Sequence, residues 1–507
     1  MSAAHSRPVR WAVAGLLLLV SACTMEPRYR PPALPVPDQW PLPATLETDA
    51  AAEAVAPAAT GDASIAADSS PPAAVSNLVA WDIGWRDFFA DARLQQLIAE
   101  ALANNRDLRV AVLNIQLAQA QYRSQRSELF PRVDANGSWT KEKIPGAVSG
   151  IGVPITEQYY SAGVGIASFE VDLFGRIRSL THAALEQYLA QEQARRGAQL
   201  SLIAQIADAY LSLASDRELQ RLAQQTLKSQ EDSFHLTEQR HAIGAVSGLD
   251  LAQAQTTVES ARADAARYEG NVAQDYDALV LLVGGAVDPN LLPSDMDPHA
   301  IGIGALPAGL PSTVLLRRPD VLQAEHLLRS NNADIGAARA AFFPTISLTG
   351  NIGSASPALS GLFKSGSGSW SFVPQAALPL FHGGQNFANL SIAKSSRDIA
   401  VAQYEKAIQV AFREVADALA LTPTLERQRE AQEALVGATQ RAYEMSQQRY
   451  KAGTDSYLTL LDAQRSYYGA QQQLIATRLA QQNNRVTLYK ALGGGWQEHS
   501  RETARND

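Results

Sequence analysis

Histidine and cysteine are the side chains most often used for metal binding and nucleophilic catalysis, and this sequence is poor in both. Its 507 residues include eight scattered histidines and one cysteine. There is no Walker phosphate loop, no His-Glu-x-x-His helix and no Gly-x-Ser-x-Gly elbow. Gly302-Ile-Gly304 and Gly244-Ala-Val-Ser-Gly248 predict turns and no more. We therefore expect no enzymatic activity, no metal and no cofactor.

The single cysteine is placed for covalent modification. Arginines precede an apolar run over residues 11–20, which is about half of what a membrane-spanning helix needs. The string Val20-Ser21-Ala22-Cys23 resembles a lipobox, where bacterial signal peptidase II cleaves before a lipid-modified cysteine. Residues 1–22 are therefore predicted to be a signal peptide, and Cys23 is predicted to carry acyl chains that anchor the protein. The alternative is an ordinary signal peptide with an incidental cysteine.

Composition limits the possible partners. Charged residues make up 19% of the sequence and the formal net charge is −8, so a nucleic-acid partner is not expected. A hydrophobic content of 46% excludes wholesale disorder. Disorder or a loose tether is expected only at the ends, in the Pro/Ala-rich residues 23–80 and in the tail 497–507.

Two halves of the chain repeat one layout. Residues 240–255 align without a gap with residues 449–464 at Arg, Gly, Ser, two Leu, Ala and Gln. The duplication predicts one repeat over residues 81–285 and a second over 311–496, joined by a linker at 286–310. Each repeat is predicted to run helix, strand, strand, very long helix, turn, helix.

The long helices are predicted from apolar residues that recur at steps of three and four. They extend over about residues 176–242 and 384–452, so each would reach roughly 100 Å at 1.5 Å per residue. Their alanine-rich seams favour close side-by-side packing in a wide, thin-walled assembly. A simple elongated bundle is the alternative.

Four strands are predicted from alternation of apolar and polar residues, at about 132–145, 156–173, 344–357 and 369–381. Strands between lipid and water require this alternation, although a soluble hairpin packed on the helices fits it too. Four strands cannot close a membrane barrel, because the smallest barrels have about eight. Strands that span therefore require an oligomer, and a conducting pore favours more than two chains.

Several short motifs occur in an order that resembles one family. They are the two Phe-Pro pairs at Phe130 and Phe343, the strand ends at Leu173-Phe174 and Leu380-Phe381, and the closing Leu492-Gly-Gly-Gly-Trp496. Together with the duplication they resemble the TolC/NodT family of outer membrane factors, and OprM-like efflux lipoproteins in particular. The resemblance covers roughly residues 81–496.

The resemblance implies a fold that is mainly α with a β membrane part. It implies a homotrimer in the outer membrane, with a twelve-stranded β-barrel in the lipid bilayer continued by a twelve-helix α-barrel through the periplasm. It also implies a passive duct that exports small molecules such as drugs, with a periplasmic adaptor and an inner-membrane pump of the RND type as partners. The alternatives are the duct of a type I protein secretion system, and a lipid-anchored coiled-coil scaffold without a pore.

The repeated motif predicts a helix end, a tight turn and a new helix in each half. Its positions are Arg240 and Arg449 in the last helical turn, Gly244 and Gly453 after it, and Ser247 and Ser456 at the next N-cap. In the family, these hairpin tips form the periplasmic entrance. Arg449 and Tyr450 resemble residues that latch neighbouring hairpins, although packing between helices explains them nearly as well.

Leu458 and Asp462 are predicted to be the channel constriction. They lie four residues apart and share a helix face just past the turn, and both match constriction positions of the resembling proteins. In a threefold assembly they would form an apolar ring and a carboxylate ring, which suits gating and cation attraction. The alternative is seam packing for Leu458 and a solvated charge or an Arg465 partner for Asp462.

Overall fold

The computed structural model of the chain describes residues 24–40, 82–296, 301 and 311–500. The predicted signal peptide, the predicted lipidation site Cys23 and most of the Pro/Ala-rich tether lie outside the described residues. The chain divides into two units: unit 1 comprises residues 1–33, 113–192 and 323–405, and unit 2 comprises residues 34–112, 193–322 and 406–507.

Each half of the chain contains helices, two strands, one long helix and a closing helix. The first half consists of α1 (Trp85–Phe88), α2 (Ala92–Asn104), α3 (Arg106–Ser127), β1 (Val133–Ile144), β2 (Ile155–Val171), α4 (Arg176–Ala242) and α5 (Gly248–Val283). The second half consists of α6 (Pro319–Ala340), β3 (Thr345–Ser356), β4 (Gly368–Ala377), α7 (Gln385–Lys451) and α8 (Tyr457–Ala491). Short 3-10 turns lie at Pro289–Leu291, Ser312–Arg317 and Leu359–Gly361.

The two long helices, α4 and α7, have 67 residues each. Pro423 lies inside α7 without ending it. Within the described ranges, no helix combines the length and apolar character that crossing a membrane requires.

In unit 1, the four strands form a single antiparallel sheet in the order β1-β2-β3-β4. The register separates the side chains by polarity, because neighbours across the sheet point to the same face. Apolar residues align in rows across the strands, such as Ala135 with Val164 and Ile352. Polar residues align on the opposite face, where Ser138 lies beside Ser161 and their hydroxyls are 2.7 Å apart. The sheet is therefore amphipathic.

A β-bulge in β2 keeps this separation intact. Ile166 pairs with Gly350 and Phe169 pairs with Leu348, so two residues of β2 face a single residue of β3. Ser168, at the bulge, has a positive φ of 51°. The extra residue shifts the alternation, and Phe169 consequently returns to the apolar face instead of the polar one.

In unit 2, the core includes contacts between α1, near the start of the first repeat, and α8, the last helix of the second repeat. Phe88 of α1 stacks on Tyr489 of α8 with ring centroids 3.8 Å apart. The Tyr489 hydroxyl donates to the carbonyl of Ile83 at 2.7 Å, and burial raises the pKa of Tyr489 well above its usual value. This packing ties the first repeat to the last helix of the second.

Residues at the start of the predicted tail are ordered, contrary to the expectation of disorder over 497–507. The Trp85 amide donates to the carbonyl of Gln497 at 3.0 Å, and the Ser500 amide donates to the Asp87 carboxylate at 2.6 Å. Arg86 forms an ion pair with Glu498 at 2.7 Å. The first turn of α1 has free backbone donors that need acceptors, and this segment supplies them.

Candidate functional site

The two helix hairpins of unit 2 end in turns built alike. Gly244 and Gly453 both have φ of 75°, in the left-handed region that glycine adopts without strain. Ser247 caps α5: its hydroxyl accepts from the Asp250 amide at 3.2 Å, while the Asp250 carboxylate accepts from the Ser247 amide at 3.1 Å. Ser456 caps α8 by accepting from the Thr459 amide at 3.3 Å. The turns are thus fixed by local sequence.

Arg449 pairs within its own hairpin. Its guanidinium donates to both carboxylate oxygens of Asp455, at 2.7 and 2.8 Å. This hydrogen bonding raises the pKa of Arg449 and lowers the pKa of Asp455. Asp455 is not among the residues predicted from the sequence, although its position in the turn after Arg449 is a usable signal.

Tyr450 joins the two hairpins. The Arg240 guanidinium lies 5.3 Å from its ring centroid, and the Tyr457 ring lies 5.6 Å away. Tyr457 is buried with Ala254 of α5 and with Leu460 and Leu461 of α8. Both hairpin tips therefore lie at one end of unit 2, where they line a cleft of about 580 Å³. The structure separates the two predicted latch residues, since Arg449 stays within its hairpin and Tyr450 bridges both.

The predicted constriction residues are exposed on the single chain. Leu458 is 57% exposed, whereas Leu460 and Leu461 beside it are buried. Asp462 is also exposed, and among the described residues it forms no ion pair with Arg465. Leu458 is therefore not covered by seam packing in the single chain, and within the described ranges Asp462 is a solvated carboxylate without an Arg465 partner, so its place in a constriction stays a prediction. In the first half, Leu249 is 67% exposed.

The apolar face of the sheet is exposed too. Trp370 is 79% exposed, Ile352 is 70% exposed and Trp139 is 58% exposed. Side chains of this size on a face without cover mark an interaction surface, and here every strand contributes to it. The opposite face is polar, so the sheet is built to separate an apolar medium from water.

A charged cluster in unit 1 fastens the segment that follows Cys23. His182 lies 3.0 Å from Glu26 and 3.4 Å from Glu186, and His326 lies 2.6 Å from Glu186. Hydrogen bonds to the two carboxylates raise the pKa of His182 to about 10. For Glu186, burial opposes ionisation, but hydrogen bonds from both histidines outweigh it and lower the pKa to about 2. Nearby, the side chain of Asn332 donates to the Pro27 carbonyl at 2.8 Å.

No group of three or more histidine, cysteine, aspartate or glutamate side chains in the described part of the chain has a geometry that could hold a metal ion. The residues that the structure brings together are instead turn residues, an aromatic bridge and an amphipathic sheet. An amphipathic antiparallel sheet combined with duplicated pairs of long helices defines the class of TolC-type outer membrane channels.

The sequence comparison supports this class directly. Residues 97–285 and 310–494 match the family described as "Outer membrane efflux protein". The chain belongs to the outer membrane efflux protein family, and the predicted resemblance is confirmed.

Relatives match the chain over nearly its whole length. The probable efflux pump outer membrane protein TtgC of Pseudomonas putida is 46% identical over 484 residues, which cover 95% of this chain and 94% of TtgC. The outer membrane protein OprJ of Pseudomonas aeruginosa is 43% identical and covers 97% of each chain. The solved open state of the MtrE outer membrane channel of Neisseria gonorrhoeae is 38% identical, with a TM-score of 0.80 over 95% of this chain and 100% of MtrE.

These findings confirm four predictions. The protein is located in the outer membrane, it is a channel component of an efflux system, its family consists of ducts and not of enzymes, and its fold is mostly helical and TolC-like.

Proposed function

We propose that this outer membrane efflux channel acts as a homotrimer whose three sheets close into a twelve-stranded barrel, continued by twelve helices. The observation that carries the proposal is the register of the sheet, which places apolar side chains on one exposed face and polar side chains on the other. In the single chain, β1 and β4 are open edges. Open edges leave backbone groups unpaired in lipid, so closure with neighbouring chains is required.

The transported molecules are small organic compounds. The similar proteins of Pseudomonas putida include an antibiotic efflux component and toluene efflux components. By analogy, this chain exports apolar and amphiphilic small molecules such as drugs and solvents from the periplasm. Protein secretion with a type I system and a non-pore scaffold are both less favoured, because the relatives in both comparisons are efflux proteins and channels.

The energy for transport comes from partners. An outer membrane efflux component works with a periplasmic adaptor and an inner-membrane pump. We assign the pump to the RND type. Cys23 carries the acyl chains that anchor the N-terminus, and the ion pair between Glu26 and His182 fixes the segment that follows it.

The constriction lies at the hairpin tips. Leu458 and Asp462 are exposed on the single chain, so both are available to line a pore in a threefold assembly. Three carboxylates around one axis attract cations and repel anions.

Single-channel conductance in planar bilayers tests the duct and its gate. Wild-type trimers are expected to give small, cation-selective steps, and Asp462→Ala is expected to enlarge the steps or remove the selectivity. Asp417→Ala is the matched control, because it removes a carboxylate that is 68% exposed in α7. Equal behaviour of Asp462→Ala and wild type would reject the gate, whereas verified trimers that never conduct would reject the duct.

A further inference from the structure

Charged side chains in the sheet are sorted by sign between its two faces. The four strands contain four carboxylates, and the register places all of them on the polar face: Asp134, Glu142, Glu157 and Glu170. The strands contain two lysines, Lys141 and Lys143, and both lie on the apolar face. Successive residues of a strand alternate between the two faces, so each of the six charges could lie on either one. If each were placed at random, a full separation by sign would arise only about one time in thirty.

The two lysines lie at one end of the apolar face. On β1 that face continues through Val133, Ala135 and Gly137 to Trp139, and then changes to Lys141 and Lys143. Their partners on β2 are Gln158 and Thr156, which are polar but uncharged. This end carries the loop at 145–154, and the other end of the sheet joins the helices.

Aromatic rings mark the point where the face changes. Trp139 stacks on Tyr160 with ring centroids 6.2 Å apart. On the same face, the next row toward the loop is Lys141 with Gln158. Trp370, which is 79% exposed on the same face, lies in the row of Ile352, Val164 and Ala135 and so belongs to the apolar part of the face. Tryptophan and tyrosine collect at the level of lipid headgroups, with the hydrocarbon on one side and water on the other.

We propose that Lys141 and Lys143 bind phosphorylated headgroups of outer-leaflet lipids, just above the stacked pair of Trp139 and Tyr160. This inference rests on the proposed function, because it requires the apolar face to contact lipid. Lysine side chains reach from an apolar surface to an anionic headgroup while their methylene groups stay on the hydrocarbon side. Both lysines are exposed, and neither forms an ion pair within the described residues.

Charge complementarity identifies the occupant. On the opposite face at the same level, Glu142 pairs with Glu157, so an anionic lipid would meet cations outside and its charge would be repelled from the lumen. Lys364, in the loop between β3 and β4, adds a third exposed cation at this end of the sheet. The loop at 145–154 contains no charged residue that would compete for the lysines.

The test measures lipid enrichment around the full-length trimer. The protein is reconstituted into vesicles of phosphatidylcholine with a small fraction of a bis-phosphorylated lipid A, extracted in mild detergent, and its retained lipid is counted by native mass spectrometry. Each lysine near an anionic headgroup contributes a factor of about five, so Lys141→Gln/Lys143→Gln is expected to lower the enrichment roughly 30-fold. Lys141→Arg/Lys143→Arg is expected to retain it.

Two controls separate this binding from general charge effects. Lys228→Gln/Lys406→Gln makes the same charge change at exposed sites on the long helices and is expected to leave lipid retention unchanged. Dephosphorylated lipid A is expected to show no enrichment. If millimolar inorganic phosphate at constant ionic strength displaced lipid A, the lysines would form a site for free phosphate and not for a lipid. That result would overturn the proposal.

Equal retention of lipid A by wild type and Lys141→Gln/Lys143→Gln would also overturn the proposal. The lysines would then serve only to keep the edge strand β1 from pairing with other strands. Conductance is recorded on the same samples. Wild-type trimers that conduct but bind no lipid would refute the lipid site alone. Verified trimers that bind lipid through the lysines and never conduct would refute the duct while the lipid site stands.

Discussion

Tyr450 offers the sharpest test of how the hairpin tips hold together. Replacing it by alanine removes a ring that contacts both Arg240 and Tyr457. The aromatic pair contributes about 0.5–1.5 kcal/mol and the cation–π contact about 0.5–1 kcal/mol. The cavity left by a half-buried ring adds a further cost, so we expect a loss of about 2–4 kcal/mol in local stability.

The phenylalanine variant separates packing from hydrogen bonding. The Tyr450 hydroxyl is buried, and among the described residues it has no hydrogen-bond partner. An unsatisfied buried hydroxyl destabilises a fold, so Tyr450→Phe should keep the ring contacts and raise stability by up to about 1 kcal/mol. Arg449→Ala serves as a control and should change little, because the Arg449 side chain is 62% exposed and its pair with Asp455 lies within one hairpin.

Urea unfolding followed by far-ultraviolet circular dichroism, together with single-channel conductance, measures both consequences. Tyr450→Ala should lower the unfolding midpoint and widen the conductance distribution, whereas Tyr450→Phe should do neither. If Tyr450→Phe opened the channel as much as Tyr450→Ala, the hydroxyl would have to bond to a neighbouring chain. The account of the bridge as packing within one chain would then be refuted.

Three further predictions concern the sheet, the N-terminal segment and the anchor. Gly353→Ala should cost about 3 kcal/mol and reduce heat-stable trimers on gels, because a Cβ there would lie 2.2 Å from the carbonyl oxygen of Ala162. His182→Gln should remove a stabilisation that is full below pH 6.5 and lost as pH rises through about 10, while the contribution of Glu186 is full above pH 4.5 and lost as pH falls through about 2. Cys23→Ser should abolish acylation, which intact mass spectrometry of the membrane fraction would detect as loss of the acyl chains.

Each of these has its own check. Gly368→Ala is the control for the sheet, since nothing lies within 4 Å of a Cβ at that position. Normal trimer yield from Gly353→Ala would show that the strands can move apart there. If the free energy of unfolding of His182→Gln fell with rising pH in the alkaline range as it does in wild type, His182 would not be the group responsible for that pH dependence. If the masses of wild type and Cys23→Ser differed only by the exchange of one sulfur for one oxygen, the cysteine would be incidental.

The elements of the fold were largely predictable from the sequence, because their periodicities are local. The strand β1 runs from Val133 to Ile144, against a predicted 132–145, and all four strands end within four residues of the predicted bounds. Apolar residues alternate in a strand and recur every three or four residues in a helix whenever one face of the element is buried or contacts lipid.

Contacts between distant segments were not predictable. Nothing in the local pattern of residues 497–500 indicated that their backbone would accept hydrogen bonds from α1. Similarly, the family resemblance named Arg449 and Tyr450 together, and only the structure separates a pair within one hairpin from a bridge between two. Closure of the proposed trimer depends on surfaces of other chains, so no local pattern could specify it.

The bulge at Ser168 divides β2 into two independently phased segments. The segment on the loop side of the bulge can gain or lose residue pairs to suit the thickness of the bilayer, without reversing the segment that leads into α4. That second segment contains Glu170, whose carboxylate accepts from Arg176 of α4 at 2.6 and 2.9 Å. In the proposed barrel, the direction in which the long helix leaves the sheet is therefore set by a segment of β2 other than the one that spans the lipid.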